Sequence, residues 1–311
     1  MRHTNLFSGL TFARLISLGS TRKADVLNKR QFLPEDPFDW STIEPSADIE
    51  YHDCYDDLRC ARLLVPLDWS KHNSTEALDL DETAAIAIVK IPASVPETDP
   101  SFGGPILYNP GGPAVSGASR VREEGKTLQS LFDGDKHFDI IGFDPRGVGA
   151  TTPPIRCYQD ETKRWTAVDI LGGLPPVGSG PVTLQYHLQT FKAFWDICEE
   201  ASLNNTVFPH VATASVARDM LEIVDKVEAS KPHCSNSSGS RGKHEAKLQY
   251  YGQSYGTYLG ATFASMFPDR VGLMVLDSVV DADGWNRGVS IRRKFIFCFK
   301  WQYLIFCPGT Y

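Results

Sequence analysis

The stretch that most constrains this chain is Leu248-Gln-Tyr-Tyr-Gly252-Gln-Ser254-Tyr-Gly256. An apolar run runs into Gly-x-Ser-x-Gly, and an Ala/Gly-rich segment with Gly260, Ala261 and Ala264 carries on towards Phe267. The pattern predicts a buried strand, a very sharp turn and a helix whose small residues let it lie close to a sheet. A glycine two residues to either side relieves a turn too tight for bulky neighbours, and the serine hydroxyl is pushed out above the sheet. The Tyr255 N–H then lies at the positive end of the new helix, where it can stabilise an oxyanion. Ser254 is therefore the candidate nucleophile, and Tyr255 supplies one candidate oxyanion N–H.

The rest of the chain reads as strands alternating with helices. Leu63–Leu67 is expected as an early strand with Pro66 at an edge position, and Ala84–Ile91 as a β-branched strand ending before Pro92. Pro105–Tyr108 and Phe138–Phe143 are further strands, each running into a glycine-bearing turn. A weak helical period covers residues 118–133. Thr213 is expected to cap a helix whose apolar positions are Val216, Met220, Ile223 and Val227, and Val271–Leu276 follows the elbow helix as a strand. Such alternation implies an α/β fold, with a mostly parallel sheet and helices on both faces. Residues 150–212 interrupt it with a Pro/Gly-rich loop, Gly172–Pro181, and a helix from Val182 to about Ser202. That length is too great for an ordinary connection and marks an inserted excursion.

Two more turns carry chemistry. Asn109-Pro-Gly-Gly-Pro113 leaves a strand. Because Pro110 and Pro113 have no N–H, the donors left are mainly those of Gly111, Gly112 and Ala114. Gly112 is favoured as the second oxyanion donor, with Gly111 as its rival. Asp144-Pro-Arg-Gly-Val-Gly149 turns at the sheet's carboxyl edge, and Arg146 is expected to anchor loops through charge-assisted hydrogen bonds.

Composition narrows the rest. A net charge of -7 leaves no basic footprint for nucleic acid, and no run of 18 apolar residues marks a membrane span. No pattern calls for a metal or an organic cofactor. Of the seven cysteines, Cys54 and Cys60 are close enough to bridge a short loop, and Cys157 and Cys198 could pair across the excursion. Free buried thiols remain the alternative. Sequons at Asn73, Asn204 and Asn236 lean towards an extracellular protein. Residues 1–36 read as a leader or disordered arm. Arg287–Tyr311 is basic and dense in aromatic residues, and its run Phe295–Phe306 reads as a possible strand with no evident place in the sheet. A foreign, atypical tail is the preferred reading.

Together these motifs resemble the α/β-hydrolase fold and, within it, the prolyl aminopeptidase family, in particular its secreted tripeptidyl-aminopeptidase-like branch. The resemblance is carried by Cys54–Trp69, Asn109–Gly117, Phe138–Gly149, Thr213–Met220 and Gly252–Asp283, and it covers roughly residues 37–286 as a partial domain. It implies a serine peptidase that removes proline or short peptides from a free peptide N-terminus through an acyl-enzyme. Ser254 matches the nucleophile, and Tyr255 with Gly111 and Gly112 the oxyanion donors. An esterase of the same fold and a non-catalytic binding protein are the alternatives.

Two departures stand out. The family carries glycine where this chain has Ala114, which matters if that backbone needs a positive φ. In this fold the triad runs serine, acid, histidine along the chain, whereas all eight histidines (His3, His52, His72, His137, His187, His210, His233 and His244) precede Ser254. Asp277, Asp281 and Asp283 belong to a strand end rather than to the acid position. The expectation is a chain that stops before its acid and histidine, inactive as it stands, with both encoded beyond Trp285 in a longer product.

Overall fold

Thr83-Ala-Ala-Ile-Ala-Ile-Val-Lys-Ile91 is buried along nearly its whole length. A strand covered on both faces reads as a continuous apolar run rather than an alternation, and this one lies inside a nine-stranded sheet. The computed structural model describes residues 38–71, 79–203, 205–231, 245–287, 299–301 and 304–307. The predicted arm over residues 1–36, the three sequon asparagines, Cys234 and Cys298 lie outside the described residues. Residues 1–40 form a unit of their own, described only at 38–40; everything below belongs to the unit spanning residues 41–311.

The strands are β1 (His52–Cys54), β2 (Leu58–Pro66), β3 (Thr83–Ile91), β4 (Phe102–Asn109), β5 (His137–Phe143), β6 (Leu248–Gln253), β7 (Val271–Asp277), β8 (Phe299–Trp301) and β9 (Leu304–Cys307). They lie in the order β1-β2-β3-β5-β4-β6-β7-β9-β8. The block β5-β4-β6-β7-β9 is parallel, and both margins are antiparallel. β1 covers β2 only at Leu58–Cys60, so Pro66 sits where no outer neighbour needs its absent N–H. The β1–β2 corner is closed by a Cys54–Cys60 disulfide.

The helices are α1 (Gly117–Phe132), α2 (Glu161–Gly172), α3 (Thr183–Ser202), α4 (Thr213–Ala229), α5 (Tyr255–Met266) and the short α6 (Ala282–Asn286). Strand alternation gives the sheet two faces, with α4 and α5 on one and α1 on the other. Leu107, Ile141, Phe143 and Tyr250 join Val216, Met220 and Ile223 of α4 and Leu259 and Phe263 of α5 in one core cluster. Ile106 and Ile140 are buried on the other side. There α1 approaches so closely that a Cβ on Gly142 would meet Val121, and one on Gly125 would meet Ile91.

Three expectations need correction. The described part of the tail has a place in the sheet, because β9 pairs in parallel with β7 and β8 closes a hairpin on it. A parallel partner far along the chain cannot be read from local pattern. Thr213 does not cap α4: it is the first helical residue, Ala212 stands at the cap position, and no side chain caps the helix there. The excursion holds a second helix, α2, capped by Asp160 accepting from Lys163 N. The Cys157–Cys198 disulfide ties the chain ahead of α2 to α3.

Candidate active site

β4 and β6 are parallel neighbours in the register Asn109↔Gly252. Their carboxyl ends therefore release two turns side by side, the Asn109–Pro113 loop and the Gly252–Gly256 elbow. Ser254 has φ 52° and ψ -122°, a conformation that costs a non-glycine residue on the order of 1–3 kcal/mol and persists only where its surroundings enforce it. Its N–H donates to the Asp277 carbonyl at 3.0 Å, and its carbonyl accepts from the Thr257 hydroxyl at 2.6 Å. The half-buried Ser254 follows β6 directly and opens α5.

The two turns interlock through glycines. A Cβ on Gly111 would lie 2.5 Å from the Gln253 carbonyl oxygen, 2.9 Å from Ser254 Cβ and 3.1 Å from the Tyr255 nitrogen. A Cβ on Gly256 would lie 2.6 Å from the Asn109 carbonyl oxygen and 2.9 Å from Asn109 Oδ1. Each turn therefore uses a glycine to admit the backbone of the other, which brings the Asn109–Pro113 loop against the Ser254–Tyr255 peptide.

The candidate oxyanion donors are not equivalent. Gly111 N–H is already committed to Asn109 Oδ1 at 3.0 Å. Gly112 is exposed, and among the described residues its N–H has no partner. Gly111 and Gly112 take φ of 97° and 107°, and Ala114 takes φ 69°. The condition that makes alanine awkward at position 114 is met, at a cost of about 1 kcal/mol.

Tyr255 is held from several sides. Its hydroxyl shares a 2.8 Å hydrogen bond with Thr213 Oγ1, and its ring packs near Tyr258 and Trp285 at centroid distances of 6.0 and 5.8 Å. Burial pushes its phenol up from the usual tyrosine range, against the pull of the Thr213 bond. Beneath the elbow Tyr108 and Tyr251 stack at 5.6 Å. Gln253 joins them, accepting from the Tyr108 hydroxyl at 2.8 Å and donating to the Tyr251 oxygen at 2.8 Å. Tyr251 donates to Asp277 Oδ2 at 3.1 Å, and burial together with that carboxylate pushes its phenol up to about 12. Asp277 is thus occupied below the turn by a structural bond.

Arg146 is the anchor its motif suggested. Its buried guanidinium binds Asp219 through Nε and Nη2, both at 2.7 Å, and the carbonyls of Leu67 and Pro66 at 2.5 and 2.6 Å. Trp69 Nε1 donates to the same carboxylate at 2.8 Å. Burial pushes the Asp219 carboxyl up, while the Arg146 and Trp69 bonds pull it down. The ion pair locks α4, and with it Thr213, to the ends of β2 and β5.

Among the described residues nothing hydrogen-bonds the Ser254 hydroxyl. Of the four described histidines, His137 faces Asp133, His187 faces the Pro175 carbonyl, and His210 lends its carbonyl to Arg146. His52 lies in β1, at the far margin of the sheet. Two contributors have no part in the site in the sequence reading: Asn109, and the Thr213 hydroxyl, which is expected there only as a helix cap. Asn109 did leave a signal, since an asparagine two residues ahead of a glycine N–H is the pattern of an Asx-turn.

No family model matches the chain. Curated relatives do. The sequence is 30% identical over 222 residues to the serine protease Hip1 of Mycobacterium tuberculosis, covering 71% of this chain and 36% of that protein. It is 30% identical over 245 residues to the tripeptidyl aminopeptidase of Streptomyces lividans, covering 76% of this chain and 39% of that protein. The chain is an α/β-hydrolase. A third relative, the carboxylesterase B of M. tuberculosis, is 34% identical over 164 residues, covering 52% of this hydrolase and 28% of that protein. The hydrolase therefore spans well under half the length of each of these relatives. The relatives it matches are named as serine peptidases and an esterase, all of them hydrolases.

Proposed function

We propose that the whole protein is a secreted serine exopeptidase that releases proline or short peptides from the free N-terminus of a peptide, with Ser254 as nucleophile. The observation that supports this best is the side-by-side placement of the Ser254 elbow and the Asn109–Pro113 loop at the carboxyl edge of β4 and β6. Ser254 Oγ attacks the scissile carbonyl, and its proton passes to a base that is not among the described side chains touching it. The carbonyl oxygen becomes an oxyanion held by the N–H groups of Tyr255 and Gly112. The intermediate collapses to an ester on Ser254, the C–N bond breaks and the protonated amine leaves. Water then cleaves the ester, releasing the acyl part and restoring the serine. Preorganised donors of this kind are worth about 10²–10³ in rate each.

The relatives named for protease and tripeptidyl aminopeptidase activity support the peptidase reading. The Cys54–Cys60 and Cys157–Cys198 disulfides support an oxidising, extracellular compartment. No nucleic-acid or membrane partner is proposed; no helix among the described residues is long and apolar enough to cross a membrane. The carboxylesterase relative favours a second reading, an esterase at the same serine.

Substrate preference separates the two. The full-length protein should cleave a tripeptidyl or prolyl arylamide with a free amine much faster than the same compound acetylated at its N-terminus, and should outpace its own turnover of a simple aryl ester. Faster ester turnover with no arylamide cleavage would establish the esterase instead. Ser254→Ala should abolish both activities and covalent labelling by a fluorophosphonate. If that variant labels as well as the parent, the nucleophile lies elsewhere.

A further inference from the structure

Asn109 is 1% exposed, and its side chain makes one hydrogen bond, accepting the Gly111 N–H on Oδ1 at 3.0 Å. Its Nδ2 is buried with no hydrogen-bond partner among the described residues. A buried amide that forgoes half of its bonding capacity carries a cost, so its place calls for a reason. The orientation of the amide is fixed by chemistry: Gly111 N is a donor, so the oxygen, not the NH₂, must face it. The same residue touches the elbow, with its carbonyl oxygen and Oδ1 against the space that glycine leaves at position 256. Asn109 therefore contacts both turns of the site.

We infer that Asn109 is the positioning residue that selects the second oxyanion donor. This rests on the reading of Ser254 as nucleophile. Two consecutive N–H groups, those of Gly111 and Gly112, leave the same loop beside the serine. Both belong to glycines at positive φ, which move easily between backbone conformations. By taking the Gly111 N–H into an Asx-turn, Oδ1 removes one candidate and fixes the peptide that follows it. The Gly112 N–H, which has no partner among the described residues, is left for the oxyanion. Preorganisation is the gain, because a donor already in place needs no reorganisation as charge develops.

The test uses the full-length protein and a fluorophosphonate probe, with Ser254→Ala as the blank. Asn109→Leu keeps the approximate size and removes the acceptor, whereas Asn109→Asp keeps the acceptor and gives up no hydrogen bond at the unpartnered Nδ2 corner. The maximal labelling rate of folded Asn109→Leu should fall about tenfold, the worth of one net hydrogen bond, while the probe concentration for half-maximal labelling stays unchanged. Asn109→Asp should recover most of that loss. A purely structural role would lower the folded fraction and leave the rate of the folded protein intact. Equal maximal rates for parent and Asn109→Leu, or an Asn109→Asp as slow as Asn109→Leu, would overturn the inference.

A crystal structure of the phosphonylated parent decides the matter even if Asn109→Leu does not fold. The phosphoryl oxygen should sit on the N–H groups of Gly112 and Tyr255, with Gly111 still bonded to Asn109. An oxygen bound to the Gly111 N–H sinks the proposal. A parent that labels no better than Ser254→Ala removes the nucleophile, and this inference with it.

Discussion

Helices α3 and α4 carry the same apolar spacing and meet opposite fates. In α4 the stripe is Val216, Met220, Ile223 and Val227, and all four are buried. In α3 the stripe is Leu184, Leu188, Phe191 and Trp195, at identical intervals, and all four are exposed, Trp195 by 70%. Thr183 is the lone buried residue of α3. Periodicity thus specifies a helix and a face; it does not specify what lies opposite. α4 has the sheet behind it and the Arg146–Asp219 ion pair through it. α3 belongs to the excursion and is tied by the Cys157–Cys198 disulfide to the loop beyond β5.

The contrast can be broken by substitution, and the largest effect should come from α4. Met220→Ala removes a fully buried side chain from the main core and should cost about 2–5 kcal/mol in a urea titration; a cost under about 0.5 kcal/mol would mean that the α4 stripe is no more committed than the α3 stripe. Ala217→Leu should be next. It forces extra volume into a site with no exposure and should cost about 1–3 kcal/mol by overpacking, with a blue-shifted or broadened aromatic fluorescence reporting the disturbed core. The smallest effect should come from α3, where Phe191→Ala is expected to stay within about 0.5 kcal/mol of the parent and to leave the unfolding midpoint in place. A loss above about 2 kcal/mol there would show that α3 has a buried partner.

Much of the site was legible because its chemistry is local. The elbow needs two glycines around one serine, the loop needs N–H groups between two prolines, and both requirements are written within nine residues or fewer. Ala114 was legible as an anomaly in the same way, and its φ of 69° gives the anomaly its energetic content. Arg146 was legible as an anchor, though not its partner, because Asp219 lies 73 residues away. The Thr213 hydroxyl looked like a helix cap and instead bonds Tyr255 across 42 residues, a contact that no spacing rule reports. α2 escaped notice because no apolar stripe marks it, although its cap Asp160 was a usable start signal. The β9 strand looked orphaned because its pairing edge on β7 is reached only when the sheet is assembled.

The sequence by itself determined the strand–turn–helix around Ser254, the α/β alternation and the two glycine-rich turns, since backbone sterics and hydrophobic period act over a few residues. Tertiary structure decided which turns meet. The parallel pairing of β4 with β6 sets Asn109 beside Gly252, and that register alone brings Gly111 against Ser254 and Asn109 against Gly256. It also decided which of two adjacent N–H groups is spoken for, because that depends on where a single buried amide oxygen comes to rest.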